Sequence, residues 1–241
     1  MITNGYSGQH SLRIGDRHTW DDWHLIPTSR PLLAVPQPKT NFIEIPGAHG
    51  SLDYTEVHSG VKYYARAGSW EFIVANDYGE WYNRKAEITN YLQGKVFQVI
   101  FTDDPRYYIT CRLAVNEWRS EKDWSTIVID YYASDPYRYP VETTTTYDWL
   151  WNELFDNTIY YGRFTLNGTK GRNLINSGDI SVKIAITCSM PGVTIEREGE
   201  EDILLQSGTT LEALTLQPGD NFMVFNGYGQ IQIDYSTGRI L

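Results

Sequence analysis

The sequence predicts a mainly β protein of two domains. Residues 1–140 read as an α+β barrel or sandwich with one helix and an extended arm, and residues 141–241 as a β-sandwich. Three observations lead there. Short apolar runs ended by Gly, Pro, Asn or Asp recur along the chain. Helical spacing appears convincingly only once. Aromatic residues make up 14%, with 18 Tyr and 8 Trp, which suits strands and protein interfaces alike.

The first half opens with an unusual segment. Residues 19–39, "TWDDWHLIPTSRPLLAVPQPK", hold four prolines, two tryptophans and an apolar stretch with no sustained period. Proline cannot sit in a central strand. The segment therefore reads as an extended arm or edge ribbon whose apolar side chains need a partner surface, in its own domain or on a neighbour. "FIEIPGAHGSLDYTE" follows, with Pro46, Gly47 and Gly50 as turn residues. "EFIVAN" and "KVFQVIFTDD" are strands. Between them "GEWYNRKAEITNYLQGK" places Trp81, Ile88, Tyr91 and Leu92 on one helical stripe, after Gly79 and before a glycine stop at Gly94. "WSTIVIDYYAS" puts Ile127, Ile129 and Tyr131 on one strand face.

Two prolines and a run of four threonines at residues 135–147 cannot continue a helix, so the boundary falls near residues 140–146. Beyond it, short strands recur about every ten residues with Gly or Pro-Gly turns, as in a sandwich. In "SVKIAI" Val182, Ile184 and Ile186 share a face, and "QIQIDY" alternates too. Beyond these strands the only helical hint is a possible turn at residues 150–155.

Composition narrows the function. Of 241 residues 41% are hydrophobic, which allows a real core without staples. The formal net charge is −10, from 30 acids and 20 bases, and this argues against nucleic acid and anionic membrane partners. The second half is the more acidic: residues 141–241 carry 6 bases and 13 acids, net −7. No apolar run approaches the roughly 20 residues of a membrane span, and "MITNGYSGQH" lacks the charged and apolar regions of a signal peptide. Cys111 and Cys188 lie in strand-like runs and read as buried thiols, with a disulfide between them left open. Two Cys and five His give no zinc spacing, so no metal or cofactor is expected.

Candidate chemistry is sparse. His49, Asp53 and Glu56 gather within a few residues. A catalytic dyad needs side chains held in hydrogen-bond reach by rigid elements, and a turn histidine flanked by Ala48 and Gly50 is ordinarily solvated. Asp103 and Asp104 could offer oxygens to a hard cation, but Asp-Asp-Pro between strands is a turn signature. The acidic block at residues 196–202 reads as a solvated hairpin tip. "NGTKGRN" has the glycines and bases of a phosphate loop without its order or context. Asn167 begins a glycosylation acceptor with no secretory route to use it. Tyr228 and the pair Trp149 and Trp151 could stack on sugar rings, or serve as core and interface residues. No nucleophile elbow occurs. Residue chemistry alone therefore points to no enzyme.

The order of features is more informative. Trp20, Trp23, Pro36, Lys39, Ile45-Pro46-Gly47, Gly50, Leu52-Asp53, Gly94-Lys95, the two aspartates 103 and 104, Arg112 and Pro136-Tyr137 occur in one ordered set. This set resembles the N-terminal domain of distal tail proteins of long-tailed bacteriophages. "NSGDISVKI" and "LTLQPGDNFMVFNGYGQIQIDY" are similar to the C-terminal domain of such tail components, which is sandwich-like and galectin-like. One departure is Ala65-Arg66-Ala67, where the family often shows Asn-Arg.

The resemblance implies a structural role in the virion, at the tail tip, for a phage or prophage product. Such proteins form a ring, expected to be hexameric, that joins the tail tube to the tail-associated tip protein and receptor-binding proteins. An arm embraces the neighbouring subunit. On that reading Trp20, Trp23, Leu25, Ile26, Leu32, Leu33 and Val35 are the expected oligomer interface. The alternative is a carbohydrate-binding module for host cell-wall attachment.

Overall fold

A computed structural model describes residues 7–57, 60–74, 81–120, 125–141, 162–197, 199, 201–206 and 214–240. The chain divides into two compact units. One takes residues 1–138 with Ile240, the other residues 139–239 with Leu241.

In the first unit the strands are β1 (Leu12–Ile14), β2 (Arg17–His18), β3 (Leu25–Pro27), β4 (Phe42–Glu44), β5 (Ser51–Asp53) and β6 (Arg66–Val74). Helix α1 (Trp81–Leu92) follows, then β7 (Val96–Phe101), β8 (Asp104–Ser120) and β9 (Ser125–Ala133); β10 (Tyr139–Pro140) belongs to the second unit. One curled sheet runs in the order β2-β1-β7-β8-β9-β6-β3. Its backbone is the antiparallel pairing of β6 with β9, in register from Arg66 opposite Ala133 to Val74 opposite Ser125.

Period-2 alternation decides which side chains enter the core. Trp70, Phe72 and Val74 of β6 are buried, as are Ile127, Ile129, Tyr131 and Ala133 of β9. Leu12, Ile14, Val99, Ile109, Cys111 and Leu113 join them, and α1 adds Ile88 and Leu92 from its apolar stripe. Trp81 and Tyr91, on the same stripe, are half-buried. Each large side chain so covered contributes roughly 1.5–3 kcal/mol. The helix stops at Gly94, whose φ of +72° glycine adopts without strain and whose N–H reaches the Leu113 carbonyl at 2.8 Å. Gly79 lies outside the described residues.

The arm expected over residues 19–39 is not one piece. Its first part belongs to the domain. Leu25 and Ile26 lie in β3, paired with Val74 and Ile73 of β6. Trp23, Leu25 and Ile26 are buried in the same unit. Trp20 is half-buried and packs against the His24 ring at 5.7 Å. These four side chains already have a partner surface within the chain, and Trp23, Leu25 and Ile26 are buried on it. Proline does not forbid the strand, because β3 is the last strand of its sheet and Pro27 sits at its end.

In the second unit the strands are β11 (Arg163–Asn176), β12 (Val182–Lys183), β13 (Ala185–Cys188), β14 (Val193–Glu196), β15 (Ile203–Leu205), β16 (Thr215–Leu216) and β17 (Gly219–Asp234). One sheet has the order β11-β17-β14-β15 with β13 also on β17, and β12 pairs with β16. Strands β11 and β17 pair from Arg163 opposite Gln232 to Asn176 opposite Gly219. "NGTKGRN", the phosphate-loop lookalike, lies inside β11. Val182, Ile184 and Ile186 are buried together as their alternation predicts, with Phe225, Ile231 and Ile233 of β17. Both cysteines are buried and free, so no disulfide joins them. Burial pushes the Cys111 thiol up to about 12. Trp149, Trp151 and the helical hint at residues 150–155 lie outside the described residues.

Candidate functional site

After β3 the chain crosses the sheet as a strap and then leaves it. The Thr28 amide bonds the Glu71 carbonyl at 3.0 Å. The Trp70 indole donates to the Leu32 carbonyl at 3.0 Å, and the Ala34 amide donates to the Tyr131 hydroxyl at 2.8 Å. Arg30 donates to Asp103 at 2.7 Å. Leu33 packs on the core, whereas Leu32 and Val35 are 68% and 63% exposed.

Residues 37–41 pair back on residue 54 and residues 62–64. The Tyr64 amide bonds the Gln37 carbonyl at 2.8 Å, the Lys39 amide the Lys62 carbonyl at 2.7 Å, and the Tyr54 amide the Asn41 carbonyl at 2.8 Å. Pro38 and Tyr63 form an isolated bridge. Further out β4 and β5 make a two-stranded sheet of their own, with Phe42, Ile43 and Glu44 opposite Asp53, Leu52 and Ser51. Phe42, Ile43, Ile45, Leu52, Tyr54 and Val57 are between 41% and 56% exposed.

The register gives the ribbon two unlike faces. Ile43 and Leu52 are cross-strand partners, and Ile45 and Tyr54 follow each of them by two residues, so four apolar side chains share one face. The other face carries Phe42, Glu44, Ser51 and Asp53. A lone two-stranded hairpin is marginally stable at best, and among the described residues no third strand joins this one. Covering the exposed half of each apolar side chain would contribute on the order of 1 kcal/mol, before the costs of association. The sequence reading took this segment for a turn. What it lacked was the pairing partner: "NFIEI" and "SLDYTE" are too short to announce a ribbon, and their alternation is legible only once they face each other.

Gly47 and Gly50 have φ of +84° and +77°, with open space where a Cβ would stand. Pro46 and His49 lie with them at the exposed tip. Among the described residues no hydrogen bond or ion pair links His49 to Asp53 or Glu56. Asp53 instead accepts the Thr55 amide at 2.9 Å, and bonding from Thr55, by side chain and by backbone, holds its carboxyl below the ordinary range. That is a turn contact, not an acid–base pair.

The other acidic candidates are also structural. Asp103 takes His10 at 2.8 Å as well as Arg30, and Asp104 accepts from Arg138 at 2.8 Å. Partial burial raises the Asp103 carboxyl, but the hydrogen bonds from His10 and Arg30 outweigh it and the net direction is down. In the acidic block Glu196 ends β14 and accepts from Asn226, and Gly199 turns toward β15 with φ of +80°. Glu198 and Glu200 lie outside the described residues. Among the described residues no group of three or more His, Cys, Asp or Glu side chains is placed to hold a metal ion, and no helix is long and apolar enough to cross a membrane.

No protein-family model matches the chain, and no curated protein does. A solved structure does. The chain has the fold of the Dit (gp 19.1) protein of phage SPP1, described as a paradigm of hub adsorption apparatus in phages that infect Gram-positive bacteria. The likeness has a TM-score of 0.64 at 11% identity and covers 95% of this chain and 98% of that one.

Proposed function

We propose that the chain is a structural protein of a phage tail tip, a distal tail hub that assembles as a ring. The observation that carries this reading is the end-to-end likeness to the SPP1 Dit protein, across both units. The ribbon at residues 37–64 supports it independently. Its apolar face needs a cover that its own sheet does not supply, and a second copy of the chain supplies one. In a closed ring each ribbon would lie on the next copy, a head-to-tail contact that repeats until the rotation closes. The interface then takes Ile43, Ile45, Leu52 and Tyr54 of the ribbon together with Leu32 and Val35 of the strap. Six copies are proposed, in the virion, joining the tail tube to the tail-associated tip protein and the receptor-binding proteins. The role needs no catalytic centre, cofactor or metal.

Light scattering on the purified protein, with negative-stain microscopy, tests this. Rings that disappear on replacing residues 41–55 by a short Gly-Ser link, in a protein that still melts cooperatively, are the expected result. A full-length chain that stays monomeric at high concentration, alone and mixed with tail-tube protein, would count decisively against it.

A further inference from the structure

We infer that the outward face of β11, β17 and β13 in the second unit is a binding site for a neutral oligosaccharide, with Tyr228 as its stacking platform. The inference goes beyond the ring and does not depend on it.

A groove of about 590 Å³ lies there, lined by polar Arg163, Thr165, Thr187, Gln230 and Gln232 and by apolar Phe164 and Ile231 among others. Its size falls in the range of small-ligand sites. The register makes the polar groups contiguous. Gln232 pairs with Arg163 on one side and Thr187 on the other, and Gln230 pairs with Thr165. Cross-strand partners of this kind stand about 5 Å apart. Tyr228 continues the same face by one period and is 66% exposed.

The groove has a built wall. A Cβ on Gly229 would meet the Ser189 hydroxyl at 3.0 Å, so the chain after β13 closes directly onto β17. The Gln230 amide donates to that hydroxyl at 2.8 Å.

The chemistry selects the ligand. Side-chain amides and hydroxyls both donate and accept hydrogen bonds. Sugar hydroxyls do the same, and a pyranose ring offers a flat C–H face to an aromatic ring. The lining holds one cation, Arg163, and no carboxylate, although residues 141–241 carry 13 acids against 6 bases. Asp234 lies one period beyond Gln232 on the same face, outside the groove lining. A polyanion would meet a repelling unit, and a cation would find no counter-charge in the groove.

Saturation-transfer NMR and titration calorimetry on the full chain, with cellohexaose, maltohexaose and the hexamer of N-acetylglucosamine as probes, test the site. At least one probe should bind. Tyr228→Ala and Gln232→Ala should each weaken it by about tenfold or more, while Tyr228→Phe keeps most of the affinity and melting is unchanged. Ile43→Asp, in the other unit, should leave sugar binding intact whatever it does to assembly. The idea fails if no probe binds at millimolar concentration, if both alanine variants bind like the parent, or if polygalacturonate binds in preference to the neutral probes.

Discussion

Trp70 and Tyr131 stack with ring centroids 4.3 Å apart and planes 17° from parallel. The same two side chains hold the strap, the indole through the Leu32 carbonyl and the phenol through the Ala34 amide. The point where the chain leaves the sheet toward the ribbon is therefore fixed by two buried aromatics of neighbouring strands. Stacking fixes the rings, and the rings fix the strap.

Gly68, opposite Tyr131 in the register, makes room for this. A Cβ there would stand 2.7 Å from the Tyr131 hydroxyl and 2.9 Å from its ring. Gly68→Ala should cost about 1–3 kcal/mol through displacement of the buried ring. Tyr131→Phe should cost only about 0.5–1.5 kcal/mol, for one hydrogen bond. Urea unfolding of both variants gives the comparison.

Core residues and those of the proposed ring interface should separate cleanly. Trp23→Ala removes a fully buried side chain and should destabilise the first unit by about 3–5 kcal/mol. Ile43→Asp and Leu52→Asp alter exposed positions and should shift stability by no more than about 0.5 kcal/mol while abolishing ring formation. Calorimetry and light scattering on the same samples read the two effects apart.

At the ribbon tip the backbone matters and the histidine does not. Gly47→Val and Gly50→Val force a β-branched residue into left-handed φ, at a cost of about 1–2 kcal/mol or more. Nothing stands in the way of the side chain, so the loss comes from φ alone. His49→Ala should leave assembly intact. Rings lost on His49→Ala with the fold preserved would return that residue to the centre of attention.

The strap should loosen in acid. The Asp103 carboxyl titrates below its ordinary 3.8 in the folded chain. Its contribution is therefore complete above the unfolded pKa and is lost as pH falls through the lower, folded value. Protection factors at the Thr28 and Ala34 amides should fall as pH drops below about 4, and Asp103→Asn should remove most of that pH dependence.

Much of the architecture was legible in the chain itself. Ile127, Ile129 and Tyr131 announce β9, and the stripe through Ile88 and Leu92 announces α1, because period 2 and period 3.6 need no partner to be seen. Gly47 and Gly50 have positive φ, which glycine takes without strain. The strand nature of "NGTKGRN" was hidden, since its glycines and bases mask an alternation that only β17 reveals.

The destination of the apolar residues before and after the strap lay beyond the sequence. Trp23, Leu25 and Ile26 enter the core, while Ile43, Leu52 and Tyr54 stay out of it, yet all six sit among prolines and glycines of similar pattern. Local sequence determines that a segment is extended and which side chains share a face. Which surface meets that face is set by contacts far apart in the chain, here the pairing of β3 with β6 and of β4 with β5. Tertiary structure alone made one segment a core strand and the other a separate two-stranded ribbon.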